Sequence, residues 1–347
     1  MSFAETKACI LKTCGINLKL KNWLKYKIFS TVKMKNEKIG IIGSGLIGRA
    51  WSMLFASVGY QVMLYDILPE QTSTALEEIE KELHALHLKS ALRGKLSPAE
   101  QLECISATTD IRELVSNAIY LQECIPERIE MKRSLYAQLA GIVEPQTIMA
   151  SSTSTYMPSL FSEHMPQHRE NVVVAHPLNP PYYIPLVEIV PAPWTKPQVV
   201  TRVRDLMLEI GQKPVTLTRQ IEGFATNRIQ YAILNEVWRL VADGVVSVAD
   251  VDRVMTEGLG IRYALLGPLE TAHLNADGVA DYFGRFGDEV YAVSQTYGPT
   301  PKMEAGETLS KIAAECEEMV PREQLKVRRE QRDKFLRELC ALKKQLE

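Results

Sequence analysis

Lys38-Ile-Gly-Ile-Ile-Gly-Ser-Gly-Leu-Ile-Gly48 decides how the rest of the chain is read. Ile39, Ile41 and Ile42 make a short apolar run suited to a buried strand, and Gly43, Gly45 and Gly48 follow in G-x-G-x-x-G spacing. Trp51, Leu54, Phe55 and Val58 then recur at helical intervals, and a second apolar strand, Val62–Tyr65, ends in Asp66, 18 residues beyond Gly48. Strand, glycine turn, helix, strand and acid in that order form a dinucleotide-binding fingerprint. The three glycines act differently. Gly43 makes the tight turn, Gly45 lets a pyrophosphate approach the backbone, and Gly48 lets helix and strand pack closely. The helix N-terminus offers the phosphates unpaired N–H groups and the positive end of its dipole. A carboxylate at Asp66 accepts hydrogen bonds from a ribose 2′-hydroxyl and repels a 2′-phosphate; the next residue, Ile67, brings no compensating charge. The expected cofactor is therefore NAD and not NADP.

The 347 residues suffice for two domains with cores of their own. A net charge of −2 gives no pull toward nucleic acid or a membrane surface, and neither partner is expected. No run is long and apolar enough to span a bilayer. The six cysteines are scattered without a C-x-x-C pair, which fits reduced thiols in a cytoplasmic protein. No His or Cys grouping has metal-site spacing, so no metal is expected. Residues 1–37 stand apart: lysines recur through them against only Glu5 and Glu37, with no arginine. They read as a flexible basic extension, from an alternative start upstream of Met34, and not as a targeting peptide.

Beyond Asp66 the chain alternates. Helical stretches are expected over Pro69–Leu92, Ala99–Glu103 and Glu127–Gly141. Strands are expected at Ile105–Ala107, Ile119–Cys124, Thr147–Ser151, Asn171–His176, Leu186–Val190 and Lys213–Thr218. This pattern predicts an α/β fold with a Rossmann-type, doubly wound, mostly parallel sheet, whose strand C-termini share one edge. From Gly223 the period becomes helical throughout. Ile229, Ala232, Ile233, Val237, Leu240 and Val241 mark one face of a long helix, and a capped helix is expected from Ser247 and another from Gly267-Pro268. The expected organisation is the extension 1–37, a NAD-binding domain 38–222, and an all-helical domain 223–347 for substrate binding and dimerisation. The wide apolar face of the long helix points to a homodimer.

His176 closes a strand in Val-Val-Val-Ala-His-Pro-Leu-Asn-Pro-Pro, and Glu188 follows 12 residues later inside Pro-Leu-Val-Glu-Ile-Val. A buried carboxylate needs a partner, and an imidazole braced by one is a general base. A strand-end histidine and a structural glutamate are the plain alternative. The hydroxyls of Ser151-Ser-Thr-Ser-Thr155 are suited to hold a substrate oxygen or to cap turn N–H groups, and Asn227 to cap the long helix or to bind an oxygen.

From Lys38 onward the chain resembles the 3-hydroxyacyl-CoA dehydrogenase family. The resemblance rests on Gly-Ser-Gly-Leu-Ile-Gly (43–48), Ser-Ser-Thr-Ser (151–154), His176-Pro-Leu-Asn179-Pro, Leu-Val-Glu188 and Gly-Phe-Ala-Thr-Asn-Arg (223–228). It implies that His176 is the general base and Glu188 its orienting partner. Ser154 and Asn227, the latter from the helical domain, hold the reacting oxygen. Leu46 and Ile47 offer backbone contacts to the diphosphate, and Glu127 and Lys132 lie near the nicotinamide half. A closer likeness, through His-Pro-x-Asn-Pro-Pro-Tyr-Tyr-Ile-Pro-Leu-Val-Glu and Glu257-Gly-Leu-Gly-Ile-Arg-Tyr263, is to members that oxidise L-gulonate at C3. Acyl-CoA enzymes carry aromatic residues directly after the histidine, whereas this chain has Pro177-Leu178. A small L-3-hydroxy acid is thus expected, with Arg262 as candidate for its carboxylate or else a structural arginine. The alternatives are a hydroxyacyl-CoA, a carnitine-type cation caged by Tyr182, Tyr183 and Tyr263, and a crystallin-like structural role.

Overall fold

The computed structural model describes residues 34–346, so most of the basic extension lies outside the described residues. Residues 34–37 border the first strand: the Lys35 amide donates to Gly59 O at 2.8 Å and its ammonium lies over the Tyr60 ring.

The chain divides into two compact units, residues 34–153 with 158–216, and residues 154–157 with 217–346. The first is built on one eight-stranded sheet. Its strands are β1 (Lys38–Ile42), β2 (Gln61–Tyr65), β3 (Ile105–Thr108), β4 (Ala118–Glu123), β5 (Ile148–Ser151), β6 (Val172–Pro177), β7 (Leu186–Pro191) and β8 (Lys213–Thr216). They lie in the order β3-β2-β1-β4-β5-β6-β7-β8. The helices are α1 (Leu46–Ala56), α2 (Pro69–Leu88), α3 (Pro98–Glu103), α4 (Ile111–Val115), α5 (Ile129–Ala140), α6 (Ser159–Ser162) and α7 (Pro197–Glu209). All neighbours from β3 to β6 pair in parallel; β7 runs antiparallel to β6, and β8 parallel to β7. The reversal follows from length, because the few residues joining β6 to β7 cannot make a crossover back to the same end. The core packs Trp51, Leu54 and Phe55 of α1, Ile79 and Leu83 of α2, and Val203 and Met207 of α7 on the sheet.

The predicted doubly wound, mostly parallel sheet is what forms. Two details differ. The five-residue α4, capped by Asp110 accepting from Arg112 N, has too few residues to show a period. The long helix after Pro69 stops at Leu88, and α3 starts on a reciprocal capping box between Ser97 and Glu100. The α2–α3 excursion is tied to the β6–β7 loop. Tyr182 is 5% exposed and its hydroxyl accepts from Arg93 N at 2.8 Å. The Arg93 guanidinium donates to Gln212 Oε1, and Gln212 Nε2 to Pro181 O. Tyr183 reaches Glu82 on α2. Tyr182 is therefore a core residue and not a wall of an aromatic cage.

The second unit is helical: α8 (Thr226–Ala242), α9 (Val248–Val254), α10 (Gly260–Tyr263), α11 (Pro268–Leu274), α12 (Val279–Gln295), α13 (Glu307–Met319) and α14 (Leu325–Leu346). Ser247 caps α9 by accepting from Asp250 N, and Gly267-Pro268 opens α11. Its internal core is small, with Val241, Val248 and Val251 at the centre and Val237, Leu240, Val246 and Ile312 around them. No helix among the described residues is long and apolar enough to cross a membrane.

Candidate active site

The glycine turn is built as its spacing requires. Gly43 has φ +100°, and a Cβ there would meet Cys124 O at 2.7 Å. A Cβ on Gly48 would lie 1.9 Å from Gly43 O, so only glycine lets α1 pack on that turn. A Cβ on Gly45 would meet nothing within 4 Å, which leaves an open approach above the turn. Gly45 is the N-cap of α1; no side chain caps that end and no acid lies in the first turn. The N–H groups at Leu46 and Ile47 are thus offered to an anion, and the residues fit a dinucleotide pyrophosphate. At the end of β2, Asp66 Oδ2 accepts from Ser44 N at 2.9 Å and from Ser44 Oγ at 2.7 Å. The Asp66 carboxylate is thereby fixed to the glycine turn.

Across β1 the strand ends line up. Ile42 pairs with Glu123, Glu123 with Ser151, and Ser151 with Val174, two residues before His176. Glu123 belongs to no motif in the sequence, yet it organises this edge. Its Oε1 accepts from Ile125 N and from Lys132 Nζ, each at 2.8 Å, and its Oε2 from Ser151 Oγ at 2.5 Å. Lys132, 1% exposed, also lies 3.3 Å from Glu127 Oε2, and Thr153 Oγ1 donates to Glu127 Oε1. Lys132 is thus a buried ion-pair member in the first unit, with its ammonium held by two carboxylates. Its bond to Glu123 spans a strand end and a helix, and local periodicity carries no trace of that contact.

The hydroxyls of the 151–155 run divide. Ser151 and Thr153 serve the two glutamates. Ser152 Oγ accepts from Gln122 Nε2 at 2.7 Å and from Trp51 Nε1 at 3.2 Å, which joins β4, α1 and the loop after β5. Cys124 Sγ lies 3.3 Å from the same hydroxyl. Burial pushes the Cys124 thiol up to about 12, so it supplies no thiolate nucleophile at neutral pH.

His176 and Glu188 stand directly opposite in the antiparallel β6–β7 pair, which is why 12 residues of separation bring them together. Their side chains share a face, with His176 Nδ1 2.9 Å from Glu188 Oε2; His176 is 5% exposed and Glu188 1%. An ionised carboxylate only accepts, so Nδ1 carries the proton and Nε2 is the nitrogen able to take one from a ligand.

In the second unit Gly223 (φ +72°) and Phe224 (φ +52°) turn the chain, with Phe224 fully buried, and place Asn227 in the first turn of α8. Asn227 does not cap that helix; its Nδ2 donates to Ser154 O at 2.7 Å. The residue pairs His176–Glu188 and Ser154–Asn227 are each joined within their own unit. Arg262 is exposed on α10, directly after a π-helical turn over Met255–Leu259. Such turns recur at functional sites.

Comparisons with known proteins agree with this architecture. Residues 38–221 match the family model of the 3-hydroxyacyl-CoA dehydrogenase NAD binding domain, and residues 223–308 match that family's C-terminal domain. The chain is 47% identical over 309 residues to lambda-crystallin of Oryctolagus cuniculus, covering 88% of this chain and 96% of that one. It is 31% identical to an L-carnitine dehydrogenase of Bacillus cereus, covering 88% and 92%. The crystal structure of 5-formyl-3-hydroxy-2-methylpyridine 4-carboxylic acid 5-dehydrogenase, an NAD+-dependent dismutase, superposes with TM-score 0.70 at 28% identity, covering 89% and 98%. The chain therefore belongs to the 3-hydroxyacyl-CoA dehydrogenase family, whose members are NAD-dependent dehydrogenases acting on CH–OH groups.

Proposed function

We propose that this protein oxidises the 3-hydroxyl of a small L-3-hydroxy acid with NAD, L-gulonate to 3-dehydro-L-gulonate being the foremost candidate. The observation that carries the reading is the buried His176–Glu188 contact on the strand edge that also bears the glycine turn. When bound, NAD supplies the hydride acceptor for C3. His176 Nε2 takes the hydroxyl proton, and Glu188 stabilises the imidazolium that results. Proton transfer of this kind is worth ~10²–10⁴-fold in rate. Ser154 and Asn227 are assigned to the reacting oxygen by family correspondence, and Arg262 to the carboxylate through paired N–H donors.

Three observations favour a small acid. Pro177 and Leu178 follow the histidine, Tyr182 is committed to the core, and the chain shares nearly half its residues with lambda-crystallins. We place the protein in the cytoplasm as a homodimer. The reduced thiols of Cys104, Cys124 and Cys316 suit a reducing compartment, and the apolar outer faces of α8 and α12 suit a second copy. The test is NADH formation with L-gulonate, 3-hydroxybutyrate, carnitine and a 3-hydroxyacyl-CoA side by side. The highest kcat/KM is expected for L-gulonate. A higher value for the thioester or for carnitine would overturn the substrate class, and no turnover with any of them would favour the purely structural role.

A further inference from the structure

Gln122 interrupts an apolar strand. β4 reads Ala118-Ile-Tyr-Leu-Gln-Glu123, runs parallel to a neighbour on each side, and leaves Gln122 at 0% exposure. Strands in that position are ordinarily apolar, and a buried amide is costly unless its groups are paired. Here they all are. Gln122 Oε1 accepts from Tyr120 Oη, and Nε2 donates to Ser152 Oγ at 2.7 Å and to Ala175 O at 3.3 Å. A carbonyl oxygen only accepts, so the contact with Ala175 fixes which end of the amide faces β6. Ala150 lies beside Gln122 in register, and Val173 beside Ala150. Ala150 and Ala175 are small, which leaves room for the longer side chain to cross from β4 to β6.

The bond falls where the sheet opens. β5 ends at Ser151, in register with Val174, whereas β6 runs on through Ala175, His176 and Pro177. Over these last residues β6 has a strand on one side only, β7, through the pairs Ala175–Ile189, His176–Glu188 and Pro177–Val187. On the other side the chain leaving β5 turns toward β4, with Ser152 N bonded to Glu123 O. Gln122 spans that gap. It holds the carbonyl one residue before His176, and through Ser152 Oγ it ties that carbonyl to Trp51 Nε1 on α1. The register puts Gln122, Ala150, Val173 and Ala175 on one face of the sheet and the His176 imidazole on the other.

We infer that Gln122 is a positioning residue for His176, its amide standing in for the strand that is missing beside the end of β6. The inference rests on the reading of His176 as the base, and not on the identity of the hydroxy acid. A reacting group displaced by about 1 Å can lose on the order of 10²-fold in rate, so a backbone contact one residue from the imidazole has leverage. It acts through geometry and not through charge, because Glu188 keeps its own contact with His176 Nδ1 when the amide is removed. Gln122 is fully buried and so out of reach of substrate. The plainer role of the amide is to tie α1 to the sheet. That role predicts a lower melting temperature with the same kcat per folded molecule.

The test is steady-state NADH formation by the purified full chain, well below its melting temperature and across pH, for wild type, Gln122→Met, Tyr120→Phe and His176→Gln, with NAD+ titrated into each. Gln122→Met keeps the length of the side chain and removes both N–H groups. Its kcat should fall roughly 10–100-fold, with KM and NAD+ Kd within about two-fold of wild type and the acid limb of the kcat profile unmoved. Tyr120→Phe removes only the hydroxyl that orients the amide, and should lower kcat in the same way by roughly two- to ten-fold. It decides the matter should Gln122→Met fail to fold. An unchanged kcat in the folded variant would overturn the inference, as would a loss confined to KM or to NAD+ affinity. Turnover lost in His176→Gln but kept in Gln122→Met would overturn this inference alone, whereas turnover kept in His176→Gln would overturn the assignment of the base and this inference with it.

Discussion

The two units bury their apolar residues on very different terms. The sheet unit is complete in itself: Ile39, Ile41, Leu54, Phe55, Val173, Val187 and Val203 all lie at 0% exposure. The helical unit, over 217–346, buries only Phe224, Val241, Val248, Val251 and Ala272 among its described hydrophobic residues, the last three short of completely. It leaves Ile229, Phe283, Phe286, Val290 and Tyr291 between 44% and 66% exposed. Each large apolar side chain left in water forgoes about 1.5–3 kcal/mol. These faces are left uncovered by the described residues, and the second copy proposed above would cover them. The sheet unit is thus a self-sufficient frame that holds the His176–Glu188 pair, and the helical unit presents the apolar faces that the proposed dimer would use.

Substitutions in each unit put this contrast at risk. The largest effect is expected in the sheet unit at Glu188→Gln, whose amide can donate to His176 Nδ1 and so favour the wrong tautomer. Turnover should fall ~10²–10⁴-fold by initial rates, with oligomeric state unaltered. In the helical unit Phe286→Glu should shift sedimentation from dimer toward monomer while NAD+ affinity in the sheet unit holds. Loss of NAD+ binding in that variant would mean that the units are not separable in this way. Asp66→Ala should weaken NAD+ about ten-fold and narrow the preference over NADP, read by titration with both. An unchanged preference would mean that another group reads the ribose. The smallest effects separate two glycines of one turn. Gly48→Ala should lower the melting temperature by roughly 3–10 °C because its methyl meets Gly43 O. Gly45→Ala should leave it within about 1 °C yet weaken NAD+, since nothing but the ligand meets that methyl.

The same division explains what could be read from residues alone. The glycine turn and Asp66 were legible because their roles are local: each depends on backbone conformation or on a strand end within the same short unit. His176 and Glu188 were legible as a pair by type. Their opposition across an antiparallel hairpin gives the spacing its reason. Glu123 was hidden because it closes an apolar strand, and its partner Lys132 lies on the next helix, a contact fixed only once β4 and α5 pack. Tyr182 and Tyr183, in a proline-rich loop, carry no mark that tells a core tyrosine from a pocket wall; for Tyr182 the bond from Arg93 N decides it. In the helical unit the apolar stripes are visible in sequence, but the stripe itself does not say what covers it.

The imidazole at position 176 bears the most weight in the proposed chemistry. NADH formation at saturating NAD+ with the best hydroxy acid of the panel, measured for His176→Gln beside an NAD+ titration of the same sample, tests it. Turnover lower by at least about 100-fold with an unchanged NAD+ Kd is the predicted result. Turnover within about two-fold of wild type would contradict it, because a proton acceptor worth that factor could not then be the side chain that Glu188 holds.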